Sequence, residues 1–237
     1  ALPLAGVIDH KTAAQALGSH VILLLMAAFM LSKALEKSLV HERLAVKLLN
    51  LIGAHSGRRL LLGFMMTAAL LSMWISNTAT ALIMMPMALA ISGAANNRKL
   101  TVALILGIAY AASVGGMGTL IGTPPNVIFA GIYEAQTGRE VGFIDWMAIG
   151  LPVVIIAIPL MALWLGRHIT TATDFTLPES GPWRSEERRV LAVFTLTVLA
   201  WITRSQPFGG WTGALGLDGI GDSTIALTAV VVMFIVP

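Results

Sequence analysis

Cysteine is absent from the 237 residues, which excludes disulfides and thiolate metal centres. Charge is scarce: 11% of residues are Asp, Glu, Lys or Arg, against about 25% in an ordinary soluble domain. Between Leu60 and Asn97, and again between Leu100 and Tyr133, no side chain ionises at neutral pH. A soluble helical protein needs a polar face on each surface helix, and most of the apolar runs here have none. The five histidines are scattered and form no ligand pair on a helix face. Ala1 is not an initiator methionine, and no charged region, apolar core and cleavage site open the chain. The last stretch, STIALTAVVVMFIVP, stops while still apolar. Both ends read as cut, and the chain as an internal piece of a longer protein.

What is present is apolar. Hydrophobic residues make up 57% of the chain, the mean hydropathy is +0.83, and uncharged runs of membrane-spanning length recur. An integral, all-α membrane protein follows. A pI near 9.6 fits nucleic-acid binding in principle, but the basic residues cluster at the ends of apolar runs. That placement marks membrane topology, and no nucleic-acid partner is expected.

Five regions are expected. Residues 1–57 hold the end of a set of spans, with an apolar segment at 18–36, and an amphipathic helix at 40–55. In that helix Leu44, Leu48 and Leu51 share a face suited to a membrane surface. Residues 58–97 form a hairpin, and 98–135 a helix that breaks at GGMGTLIGTPPN, residues 115–126. Residues 136–188 contain a span at 146–166 and a polar loop. Residues 189–237 contain a span at 189–203, a Gly-rich loop at 204–222, and a last segment from Ser223. Of the fifteen Lys and Arg, eleven fall in 37–59, 96–99 and 167–189, which places those stretches in the cytoplasm.

The hairpin carries the first oddity. SMWISNTAT, residues 72–80, sets an amide and four hydroxyls in an oily stretch. The arms on either side are about 13–17 residues, or about 20–25 Å of helix, short of about 30 Å of hydrocarbon. Basic pairs at Arg58–Arg59 and Arg98–Lys99 put both outer ends in the cytoplasm, so the spacing predicts a re-entrant hairpin with its tip at Ser76–Thr78. The second oddity, four glycines and two prolines in 115–126, cannot continue a helix. Such a break is tolerated in a membrane where protein or a water-filled cavity covers it. Asn77 or Thr78 is expected to cap the second arm. Carbonyls and Ser, Thr and Asn oxygens suit a hard cation, helix N-termini suit an anion, and broken helices meeting at the midplane are the mark of secondary transporters.

SNTAT on a hairpin, followed by GGMGTLIGTPPN in a broken helix, resembles the divalent anion/sodium symporter family. These are the dicarboxylate, citrate and sulfate carriers that include the INDY proteins. FMLSKALEKSLVHERLAVKLL and EERRVLAVFTLTVLAWITR are similar to the family's flanking stretches. The resemblance implies an inverted-repeat, elevator-type fold, with this chain holding the first repeat and the start of the second. It implies sodium binding at Ser72, Ser76, Asn77 and Gly122, and substrate binding at Asn77, Thr78, Thr123 and Pro124. It further implies sodium as coupling ion with no other cofactor, a dicarboxylate of the succinate, malate or fumarate class, a homodimer, and a multi-pass place in the cell's inner membrane. Citrate or sulfate transport, or sodium-independent exchange, keeps the same fold. An intramembrane enzyme would need a base or metal ligands beside Ser76, and no neighbouring run supplies them. Half an inverted-repeat site is not expected to transport alone.

Overall fold

Serine and asparagine mark where several helices begin. The structure, a computed structural model, describes residues 3, 5–53, 55–94, 97–169, 181–205, 209–217 and 219–236. Its helices are α1 His10–Leu17, α2 His20–Lys37, α3 Val40–Ile52, α4 Gly57–Ser72, α5 Asn77–Ala94, α6 Arg98–Gly115, α7 Pro124–Thr137, α8 Phe143–Gly166, α9 Ser185–Ile202, α10 Gly210–Ala214 and α11 Asp222–Ile235. Ser19 accepts from the Ile22 N–H, Ser56 from Arg59, Ser76 from Ala79, and Asn97 from Lys99 and Leu100. Each bond satisfies a first-turn donor that has no carbonyl partner within its helix.

The hairpin is α4 and α5, with a turn at residues 73–76. The tip therefore lies slightly earlier than the sequence spacing predicts. Ser76, rather than Asn77 or Thr78, is the N-cap, because its hydroxyl reaches the Ala79 N–H at 3.1 Å. The arms have 16 and 18 residues, about 24 and 27 Å at 1.5 Å per residue. α4 is enclosed by α3, α5, α6 and α8, and Leu60, Leu61, Phe64, Met65 and Ala68 on it have no exposed surface. α6 approaches so closely that a Cβ on Gly115 would fall 2.4 Å from Ala69 Cα. The helix break is as expected: α6 ends at Gly115, a 3-10 turn covers Gly116–Gly118, and α7 starts at Pro124.

Among the described residues two helices, α6 continued to Gly118 and α8, are long and apolar enough to cross a membrane. α8 turns Ile149, Ile155, Ile156, Leu160, Leu163 and Trp164 outward. α2 and α9 stand where spans are expected at 18–36 and 189–203, each with charged residues in one end turn. Part of the polar loop, 170–180, lies outside the described residues, as do 206–208 and 218 of the Gly-rich loop, which holds α10. The last helix opens on Asp222 rather than Ser223.

α3 is amphipathic. Val40, His41, Ala45 and Leu49 turn inward, while Leu44 is half-buried and Leu51 is 83% exposed. Leu49 and Ile52 pack over Gly63 of α4, and Leu44 packs partly against the same core. The corner between α2 and α3 places Leu39 at φ 60°, a left-handed conformation costing about 1–2 kcal/mol for a side chain of this kind. Ser38 Oγ and His41 Nδ1 hold the corner by both meeting the Leu35 carbonyl at 3.0 Å. Arg43 then ties α3 to the start of α9, with its Nε 2.8 Å from Glu187 and its guanidinium against Trp183.

Trp74 in the hairpin turn joins the two apolar cores. One core is built on α3–α6 and α8, the other on α2, α7, α9 and α11. Its ring stacks on Phe143 and meets Phe194 edge-on at 5.4 Å, and Phe143 stacks in turn on Trp201. The hairpin tip is thereby fixed against the beginning of α8 and the middle of α9.

Candidate functional site

Ser72 is fully buried, with its Oγ 2.5 Å from Asn77 Oδ1 and 2.7 Å from the Ala112 carbonyl. One hydroxyl proton cannot serve two acceptors. The proton goes to the Ala112 carbonyl or to Asn77 Oδ1, and in either case the last residue of α4, the first of α5 and the last turn of α6 are joined at one point. The break in the second helix is closed in a similar way. Thr119 donates to the Met73 carbonyl at 2.5 Å. Asn126 donates to the carbonyls of Gly116 and Thr119 at 2.9 and 2.8 Å and accepts from Thr123 at 3.0 Å.

These ties bring the two broken elements to one cleft of about 410 Å³. Ser76, Asn77, Thr78, Gly122, Thr123 and Pro124 line it, together with Trp74 and, from α2, Phe29 and Ser32. Six of the seven residues expected at the site thus share one space. The seventh, Ser72, is outside the lining and acts on it through Asn77. None of the described lining residues ionises at neutral pH.

The two helix starts at the cleft are not equivalent. α5 begins Asn77–Thr78, and its first-turn N–H groups have no carbonyl partner within the helix. α7 begins Pro124–Pro125, and proline has no N–H to offer. The α7 end therefore contributes helix-dipole charge without N–H donors from its first two residues, and the Thr123 hydroxyl beside it already donates to Asn126. The backbone donors at the cleft belong to the start of α5.

Beside Gly116 lies a place where oxygens gather. A Cβ built there would stand 3.2 Å from Asn77 Oδ1, 3.4 Å from the Gly122 carbonyl oxygen and 2.5 Å from Thr123 Cγ2. The missing side chain leaves room between an amide and a backbone carbonyl, the donor types a hard cation takes. Gly116, Thr119, the Ala112 carbonyl and Trp74 were not expected at the site. Asn126 stood inside the quoted motif without a role. Only the fold shows which carbonyls these side chains reach.

The profile of the CitMHS family, described as citrate transporter, matches residues 1–236. The chain belongs to this transporter family. A sodium-dependent dicarboxylate transporter SdcS of Staphylococcus saprophyticus is 37% identical over 259 aligned positions, covering 100% of this chain and 49% of the relative. The SdcS of Staphylococcus aureus strain NCTC 8325 is 35% identical with the same coverage. The chain spans about half the length of these curated relatives. The matches agree with the resemblance carried by SNTAT and GTPPN. Family and relatives alike are transporters and set aside the enzyme alternative.

Proposed function

We propose that the protein containing this chain imports C4-dicarboxylates by sodium symport, and that this chain supplies one half of the binding site. The observation that carries the reading is the ionisable-free cleft between the SNT tip and the GTPPN break. A dianion entering it meets no cationic side chain, so sodium beside Asn77 and Gly122 supplies the compensating charge. Ser72, Ser76, Asn77 and Gly122 serve the sodium ion, by side chain or carbonyl. Asn77 and Thr78, with Thr123 and Pro124 opposite, hold one carboxylate. The relatives named as sodium-dependent dicarboxylate transporters support the coupling ion and the cargo class.

In this reading 58–97 is a re-entrant hairpin and 98–135 a discontinuous span, and both move as an elevator against scaffold helices that form a homodimer. Residues 1–57 close the scaffold spans, 136–188 follow the mobile element, and 189–237 open the second repeat. The protein is multi-pass in the inner membrane. The arm lengths and the basic pairs at both outer ends support re-entrance. Citrate is the second cargo to test, because the family description names it.

Uptake of labelled succinate by the full-length carrier, with sodium exchanged for choline, tests the reading. A collapse of uptake in choline is expected. Unchanged uptake would overturn sodium coupling, and saturation by citrate but not succinate would reassign the cargo.

A further inference from the structure

Arg58, Arg59 and Arg167 meet at one end of the molecule, in a cleft of about 490 Å³ between the first turn of α4 and the last turn of α8. Its walls below the three guanidinium groups are apolar: Leu62 on α4, and Pro159 and Leu163 on α8. We propose that this cleft holds the phosphodiester headgroup of an anionic phospholipid of the cytoplasmic leaflet, with an acyl chain lying along α8. The inference rests on the membrane placement proposed above but not on the cargo.

The arginines are arranged for different tasks. Arg58 is a strut: its Nε donates to the carbonyls of Gly166 and Ile169 at 3.2 and 3.1 Å. Gly166 gives its stem room to pass, a Cβ there lying 3.6 Å from Arg58 Cγ. Those carbonyl bonds fix the group without cancelling its charge. Arg167 stacks on Trp164 at 4.4 Å and bonds His168 at 2.9 Å. Arg59 makes no ion pair among the described residues. No acidic side chain is among the described lining residues of the cleft, so among these residues three like charges are gathered without an acid. An anion relieves that repulsion, and Arg binds phosphate oxygens through paired donors.

The apolar walls identify the source of the phosphate. Leu163 is 73% exposed and continues into the outward row of Leu160, Ile156 and Ile155. A free phosphate ion gains nothing from such a wall, whereas an acyl chain covers it. The order from guanidinium to Leu to Ile is the order of a membrane from headgroup to hydrocarbon. Most of the chain's basic residues lie on this side, and basic pockets between helices on the cytoplasmic side are suited to anionic headgroups.

The test uses the purified full-length carrier, delipidated and returned to phosphatidylglycerol or phosphatidylcholine, with retained lipid read by native mass spectrometry. Phosphatidylglycerol is expected to be retained at least tenfold better, and the double variant Arg59→Gln/Arg167→Gln to lose most of that preference. Arg98→Gln/Lys99→Gln, at the α6 start on the same side, is expected to keep it. Equal retention of both lipids, equal loss in the two double variants, or full competition by millimolar inorganic phosphate would overturn the proposal. A second measurement needs no variant: photoactivatable phosphatidylglycerol is expected to label peptides containing 159–163, and labelling confined to other helices would also overturn it.

Discussion

Ser72 ends one arm of the hairpin, Asn77 begins the other, and their side chains meet at 2.5 Å. The contact makes Asn77 a structural clasp and a cleft-lining group at once. Its replacement is therefore expected to act on function before it acts on folding. Asn77→Ala should reduce sodium-dependent succinate uptake by the full-length carrier at least a hundredfold, with membrane insertion intact. Ser92→Ala removes a hydroxyl that makes a long bond to the Leu89 carbonyl, at 3.4 Å, and should leave uptake within twofold. Similar losses in both would make the polar tip a packing feature.

Gly116→Ala tests the place where the oxygens gather. The added methyl would stand 3.2 Å from Asn77 Oδ1 and 2.5 Å from Thr123 Cγ2, so Thr123 must shift and the space between the two oxygens closes. The apparent sodium affinity is expected to fall at least tenfold. An unchanged sodium dependence in a folded variant would place the cation elsewhere.

Asn126→Leu removes two donors from the carbonyls of Gly116 and Thr119 and keeps a similar side-chain volume. The Gly116 carbonyl, deprived of the Asn126 donor, costs about 1–3 kcal/mol, while Thr119 keeps the Gly122 N–H at 3.3 Å. The melting temperature of the full-length carrier in detergent should drop by several degrees. Thr137→Ala, whose hydroxyl returns to its own helix at Tyr133, should change it little.

Arg204 pairs with Asp222 at 3.1 Å and with Glu140 at 3.0 Å, but the two acids differ in burial. Asp222 is 5% exposed and also accepts the Phe143 N–H at 2.8 Å, while Glu140 is 49% exposed. Breaking a buried pair from one side costs about 3–5 kcal/mol, and an exposed pair contributes about 0–1 kcal/mol. Asp222→Ala should destabilise the carrier far more than Glu140→Ala in the same thermal assay. Equal effects would mean that Arg204 depends on neither.

His41 makes the corner between α2 and α3 sensitive to acid. Burial pushes its imidazole below the ordinary histidine range, against weaker opposing effects from the Leu35 carbonyl, Glu42 and Glu36. The folded chain thus binds a proton less readily than the unfolded one. Stability is full above about pH 6.5, where the unfolded imidazole is also neutral. It declines as the pH falls from there toward the lowered folded value. Between pH 7.5 and 5.5 the melting temperature should fall more steeply for the wild type than for His41→Gln. Parallel slopes would remove His41 from the pH response.

The helix starts at Ser19, Ser56 and Asn97 have a local cause, because the capping group is in the side chain itself. The hairpin was readable because uncharged arms of limited length between Arg59 and Arg98 leave few arrangements. The face α3 turns to the protein, Val40, His41, Ala45 and Leu49, was not, because it is set by how α3 meets α4. The cap at Ser76 was missed for a related reason: Asn77 is the better-known capping residue type, but Ser72 engages its amide. Thr119 and Asn126 hold carbonyls distant in sequence or across a turn, and no local pattern encodes such a pairing. Trp74 reads as one more apolar residue until α8 and α9 are folded around it.

The proline pair at the start of α7 has a consequence for what this half of the site can distinguish. If the proposed function holds, this half, with backbone donors on the α5 side alone, grips a carboxylate from one direction, as a hand holds one end of a rod. Succinate, malate and fumarate present the same end to that grip. Selection by length or by a hydroxyl substituent therefore belongs to whatever groups meet the far carboxylate. A chimera that keeps these residues and exchanges the facing half would inherit its cargo from the exchanged part and its sodium dependence, in large measure, from this one.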